Sequence, residues 1–298
     1  MSVIVESWFI PFDILQIIST AIVTVIATFS FIIIIVDKTC HTIPMILVAN
    51  SFLVAIVGGS VTFSMALFTL HNDLKQIQYQ DTYCVFRGYL VYVVCGLLNY
   101  SYLLPAIYRY LTVVYPTRLF WRSIRTYIFL IVLTWIFCLG CPFAFMFTGD
   151  IAYDVDNQIC QVPLRLSFPV IYGTFCCYII PISMIMFIYI KLFRYVHRMK
   201  QRVTRIHTFN HAQRDLKMVR RILVLLAMLL TVCLPYALFI WISFFTAPPK
   251  YDFRISFIFV DTAFLIVTIA LFQFNDPLKA SIKKFLSRQP NTIFPTLA

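Results

Sequence analysis

The chain has 298 residues, 61% of them hydrophobic and only 12% charged, with a mean hydropathy of +0.87. Soluble domains carry roughly a quarter charged residues, so water is excluded as the main solvent. The formal charge of +12 would suggest nucleic acid in a soluble protein, but in a membrane chain lysine and arginine set orientation and are read loop by loop.

Apolar segments run from approximately 14 to 36, 43 to 70, 84 to 115, 124 to 147, 167 to 196, 216 to 246 and 254 to 274. Each reaches the ~20 residues that cross ~30 Å of hydrocarbon. Without barrel-like alternation, runs this apolar satisfy their backbone groups in lipid as helices. The sequence therefore predicts an all-α, seven-transmembrane helix bundle. The first run is too long for a signal-peptide core and is taken as a retained span. The expected organisation is a short extracellular N-terminus (1–13), a transmembrane domain (14–275), and a cytoplasmic amphipathic helix and tail (276–298).

With the N-terminus outside, the inner segments hold Lys38, Arg109, Arg118, Arg122, Arg125, the basic residues from Lys191 to Arg221, and Lys279, Lys283, Lys284 and Arg288. The outer segments hold Lys75, Arg87, Arg165, Lys250 and Arg254 against Glu6, Asp13, Asp73, Asp81, Asp150, Asp154, Asp156 and Asp252. This asymmetry fits a basic cytoplasmic face. The stretch from Lys191 to Arg221 reads as two helix extensions meeting in a short loop. Anchoring to anionic lipid and docking of a cytosolic partner both fit it. After Phe274, NDPLKASIKKFLSR places Leu278, Ile282, Phe285 and Leu286 on one side and Lys279, Lys283 and Arg288 on others, an interfacial amphipathic helix.

The third segment, CVFRGYLVYVVCGLLNYSYLLPAIYRYLTVVYPTR, resembles the rhodopsin-like (class A) family of G-protein-coupled receptors. In that family a cysteine opens the third helix, and a DRY triplet followed by Tyr-Pro closes it. Cys84, Arg109, Tyr115 and Pro116 fall at that spacing, and Tyr108, Arg109 and Tyr110 occupy the triplet. Trp135 stands where the family has its fourth-helix tryptophan, and Pro181 and Tyr189 match the fifth helix. Pro235 matches the sixth, preceded by Cys233 in place of the CWxP tryptophan. The chain is a divergent member by this resemblance. Ala55 replaces the sodium-binding aspartate, so no sodium site is expected. NPxxY is absent, with Val267 to Leu271 in its place and Asn275, Asp276 and Pro277 read as the start of the interfacial helix.

The resemblance implies roles. Cys84 and Cys160 both face the oxidising side and are expected to form a disulfide, worth on the order of 4–5 kcal/mol in the chain-entropy model. Cys40, Cys95, Cys138, Cys141, Cys176, Cys177 and Cys233 read as packing residues or cytosolic thiols. Arg109, with Asp215 at the foot of helix six, is the expected activation switch. The bland reading has Asp215 neutralising Arg214 and Lys217. Pro105, Pro181 and Pro235 bend their helices, and Tyr189 is expected to reach toward Arg109 in the active state. Asp261, costly inside a membrane unless it faces the bundle, is a ligand-pocket candidate with Arg87, Val91 and Tyr236. It is read either as meeting a cationic ligand group or as an ion pair with Arg87. Val91 stands where amine receptors keep an aspartate, which argues against a typical monoamine.

His207, His211 and Asp215 have a spacing able to bind metal, but a single such set in a basic segment reads as solvated surface. No catalytic motif is present. A retinal pump would need a lysine in helix seven, and 255–274 has none. The expectation is a plasma-membrane receptor without cofactor, with an extracellular ligand, a heterotrimeric G protein and membrane lipid as partners and no nucleic acid. A transporter or channel, or a receptor-like scaffold that does not signal, is the alternative.

Overall fold

The computed structural model describes residues 9–115, 123–164, 167–202, 234–246 and 249–287. Helices α1 (Ile10–Val36), α2 (Ile43–Lys75), α3 (Cys84–Val114) and α4 (Ile124–Gly140) come first. A hairpin of β1 (Ala152–Asp154) and β2 (Ile159–Gln161) follows. Helix α5 consists of Phe168–Thr174 and Ile180–Arg202 joined by a π-helical turn at Phe175–Ile179. Of the sixth membrane segment, α6 (Leu234–Ser243) is described, and α7 (Asp252–Phe274) and α8 (Asp276–Ser287) complete a seven-helix bundle with a short terminal helix.

The described part holds six helices long and apolar enough to cross a membrane. Proline sits in the first turn of α1, α2 and α5, where its missing N–H is no loss and its fixed φ starts the helix. The helices overrun the apolar segments. Helix α2 has 33 residues, roughly 50 Å at 1.5 Å per residue, well beyond the hydrocarbon core.

Large side chains face outward along the spans, including Val25, Phe29, Phe129 and Ile136, each more than half exposed. Water does not tolerate such a surface, and lipid does. Among the six long spans described, α4 is the most peripheral, burying only Tyr127 and Cys138. Inside, many polar groups are paired. Thr20, Thr24 and Thr28 donate to carbonyls one turn back, and Trp135 Nε1 donates to Asn50 Oδ1 at 2.9 Å, tying α4 to α2. The protein is a multi-pass membrane protein, with its core divided among α1–α2–α7–α8, α3–α4 with the hairpin, and α3–α5.

The helix expected after Phe274 begins at Asp276, and Leu278 on it is fully buried. Ser281 Oγ donates to Asp37 Oδ2 at 2.6 Å, which docks α8 on the α1–α2 connection. That bond, with the N–H of Thr39, holds the Asp37 carboxyl down at about 2.

Candidate functional site

The two ends of the bundle carry different chemistry. At one end Cys160, in β2, is bonded to Cys84, the first residue of α3 and 76 positions away. Tyr153 of β1 lies opposite Cys160 in the hairpin. Gly88, one turn into α3, makes this seating possible, since a Cβ there would lie 2.3 Å from the Cys160 carbonyl oxygen.

The hairpin tip is built to reach α7. Asp154 Oδ1 accepts the N–H of Asp156 at 2.9 Å, an aspartate turn that presents Asn157 inward. Asn157 Nδ2 donates to Asp154 Oδ2 and to Asp252 Oδ1, each at 2.9 Å. Its Oδ1 accepts the backbone N–H of Arg254 at 3.1 Å. The Arg254 guanidinium crosses to α2 and grips Asp73 with two bonds, 2.6 and 2.9 Å, while its carbon lies 4.9 Å from the centre of the Phe9 ring. Arg254 is 6% and Asp73 1% exposed. This fork-to-carboxylate geometry is the strong form of ion pair.

The sequence reading counted Arg254, Asp73 and Asp13 among the charges of the outer segments, and the structure buries all three in the protein. Asp13 lies against Asp73 and Arg254. Beside them, between α1, α2 and α7, lies a cavity of about 20 Å³ lined by Asp13, Gln16, Thr62, Thr69, Arg254 and Asp261 among others. Asp13 and Asp261 are 4% and 2% exposed. Asp13 Oδ2 and Asp261 Oδ1 have no hydrogen-bond partner among the described residues.

An Arg87–Asp261 pair does not form. Arg87 donates to Asp81 at 2.9 Å and to Ser64 at 3.4 Å, with its guanidinium carbon 4.6 Å from the centre of the Phe68 ring. The α2–α3 connection folds Asp81 back onto the first turn of α3, which supplies a nearer carboxylate in a wetter place. Asp261 neighbours Thr62 instead, whose hydroxyl donates to its own helix at Gly58. Val91 packs in an apolar cluster with Ile159 and Phe253. Pro235 and Tyr236 lie on α6 with their side chains outside the described residues.

At the other end, Arg109 sits in the last turns of α3. It is near enough to Tyr189 of α5 for the guanidinium and phenol to interact electrostatically. Tyr189 is 2% exposed, and its hydroxyl has no hydrogen-bond partner among the described residues. Tyr108 packs edge-on against Tyr127 at 5.2 Å, and Tyr110 against Tyr115 at 6.3 Å. Pro116, His207, His211, Asp215 and Cys233 lie outside the described residues.

Pro181 ties α5 to α3. Proline has no N–H to give the carbonyl four residues back, which is that of Cys177. In the π turn Asn99 Nδ2 takes that carbonyl at 2.9 Å, and the Tyr100 hydroxyl takes that of Cys176 at 3.2 Å.

Seven spans, a disulfide-pinned hairpin over one end and an arginine closing the third helix at the other define a seven-helix membrane receptor architecture. A family model described as "7 transmembrane receptor (rhodopsin family)" matches residues 15–274, and the chain belongs to that family. Among solved structures, the chain is similar to squid rhodopsin, with a TM-score of 0.78 at 14% identity over 95% of this chain and 87% of that one. Among curated protein sequences, none matches it.

Proposed function

We propose that the protein is a G-protein-coupled receptor, not an enzyme, of the plasma membrane, with its N-terminus and disulfide-bonded hairpin outside. A ligand, peptide or small molecule and not a typical monoamine, binds at the hairpin end. Helix rearrangement then opens the Arg109 end to a heterotrimeric G protein. The observation that carries this reading is the nearness of Arg109 to the buried Tyr189 hydroxyl at the foot of α3 and α5. A phenol with no hydrogen-bond partner among the described residues, next to a guanidinium, is a group whose bonds are completed in a second arrangement of the helices. The basic residues of the Lys191–Arg221 stretch and of α8 support a cytoplasmic position for this end.

In this scheme Arg109 is the coupling residue, Asp215 its partner in the resting state, and Tyr189 its partner in the active one. Pro181 and Pro235 supply the bends, while Tyr108 and Cys233, at positions where the family has an acid and a tryptophan, leave the resting state with fewer restraints. A receptor-like scaffold is the second reading, favoured by the missing NPxxY. A G-protein dissociation assay in cells, run across peptide and amine pools on wild type and Arg109→Ala, separates them. The expected outcome is a response that falls at least about tenfold in the variant, as for a lost charge-assisted contact. A response indifferent to Arg109 overturns the coupling scheme. Asp215→Ala is expected to raise basal signalling.

A further inference from the structure

The buried charges at the hairpin end do not balance. Arg254 is already committed to Asp73 through two bonds. Asp13 and Asp261 remain, both at least 96% buried, each with a carboxyl oxygen that has no hydrogen-bond partner among the described residues, and both lining the same cavity. Their polar neighbours bring no further positive charge: Thr62 lies against Asp261 and shares its hydroxyl with Gly58, while Asp13 lies against Asp73 and the Arg254 already bound to it. Two carboxyls left this way in a low-dielectric site stay neutral unless a positive charge enters to hold them ionised.

We propose that this cavity between α1, α2 and α7 receives the primary ammonium group of a ligand, held between Asp13 and Asp261. Its volume, about 20 Å³, admits roughly one water-sized group. An NH₃⁺ head matches that volume more closely than a trimethylammonium head does. Its donors to the surrounding oxygens, up to three, match an acceptor-rich lining. A divalent metal is disfavoured, because no group of three His, Cys, Asp or Glu side chains able to hold one occurs among the described residues. The third helix does not contribute the anion, since Val91 is packed among Ile159 and Phe253. Recognition of the cation falls to the first and seventh helices. The inference rests on the receptor reading for the origin of the ligand, but binding itself requires no coupling.

The test uses the purified full-length protein in lipid nanodiscs and follows its unfolding temperature at constant ionic strength set with NaCl. Benzylammonium is titrated through the millimolar range against benzyl alcohol, its neutral counterpart, and benzyltrimethylammonium, its bulky one. A saturable rise with benzylammonium alone is expected. Asp261→Asn and Asp13→Asn, each checked for monodispersity and helical content, are expected to weaken it about tenfold or more. Equal shifts with benzyl alcohol or benzyltrimethylammonium, no shift with benzylammonium, or an undiminished shift in the double Asn variant would each overturn the proposal. The selectivity among the three probes is read on wild type, so it stands even if a variant fails to fold. Binding that survives while the response is indifferent to Arg109 would overturn the coupling scheme alone.

Discussion

The hairpin end and the Arg109 end are held by different kinds of bond. Among the described residues, the hairpin end carries a disulfide, a two-pronged buried ion pair between α7 and α2, and the Asn157 bonds that join the hairpin turn to α7. Among the described residues, the Arg109 end is held by tyrosine rings packed edge-on, by the neighbourhood of Arg109 and Tyr189, and by the partly buried bond from Ser281 to Asp37 that docks α8. Covalent and buried ionic links each have one geometry, and displacing them is costly. Ring packing slides at small cost. The difference gives one end links of fixed geometry and the other looser packing.

The largest effect expected from breaking the fixed links is at Arg254. Arg254→Met leaves Asp73 buried without its cation and is expected to cost about 3–5 kcal/mol, read as a lowered unfolding temperature in detergent. The paired change Arg254→Met with Asp73→Leu should recover most of that loss. Cys160→Ser removes the loop closure and is expected to cost about 2–5 kcal/mol. Reductant should then lower the unfolding temperature of wild type and leave the variant unchanged. Asn99→Leu strips the donor from the Cys177 carbonyl, with an expected loss of about 1–3 kcal/mol, measured by the same unfolding. A loss at Asn99 larger than at Arg254 would invert the comparison.

The smallest effect concerns α8. Asp37 titrates at about 2 when its bonds to Ser281 and Thr39 are formed, below the ordinary carboxylate value near 4. Its contribution to docking α8 is therefore present above about pH 4 and lost as pH falls from there through about 2. Amide exchange in α8 should rise over that window in wild type, and Asp37→Asn should remove the dependence.

The bundle and its terminal helix were legible because length, apolarity and amphipathic pattern report solvent directly. Cys84, Trp135, Pro181 and Tyr189 were legible because they fall at fixed positions along one chain. The hairpin-end site was not. Asp13, Asp73 and Arg254 lie where apolar runs stop, and a charge there reads as a loop residue in water. Only folding brings positions 13, 73 and 254 together, and no local pattern encodes that meeting. A signal did exist in Pro11. Proline in a first turn marks the helix as starting at Ile10, ahead of the apolar run, which places Asp13 inside it. The hairpin escaped notice because its strands are three residues each, too short for alternation to show.

The π turn at Phe175–Ile179 carries a consequence for how α5 moves. Pro181 removes a bond internal to α5 and hands its acceptor to Asn99 on α3. A bond between helices has only a few discrete partners, spaced by the helical rise. Any turning of α5 against α3 must release one carbonyl before it finds another. That movement is a click between detents rather than a glide, so an amide and a phenol on α3 set where the fifth helix is allowed to rest.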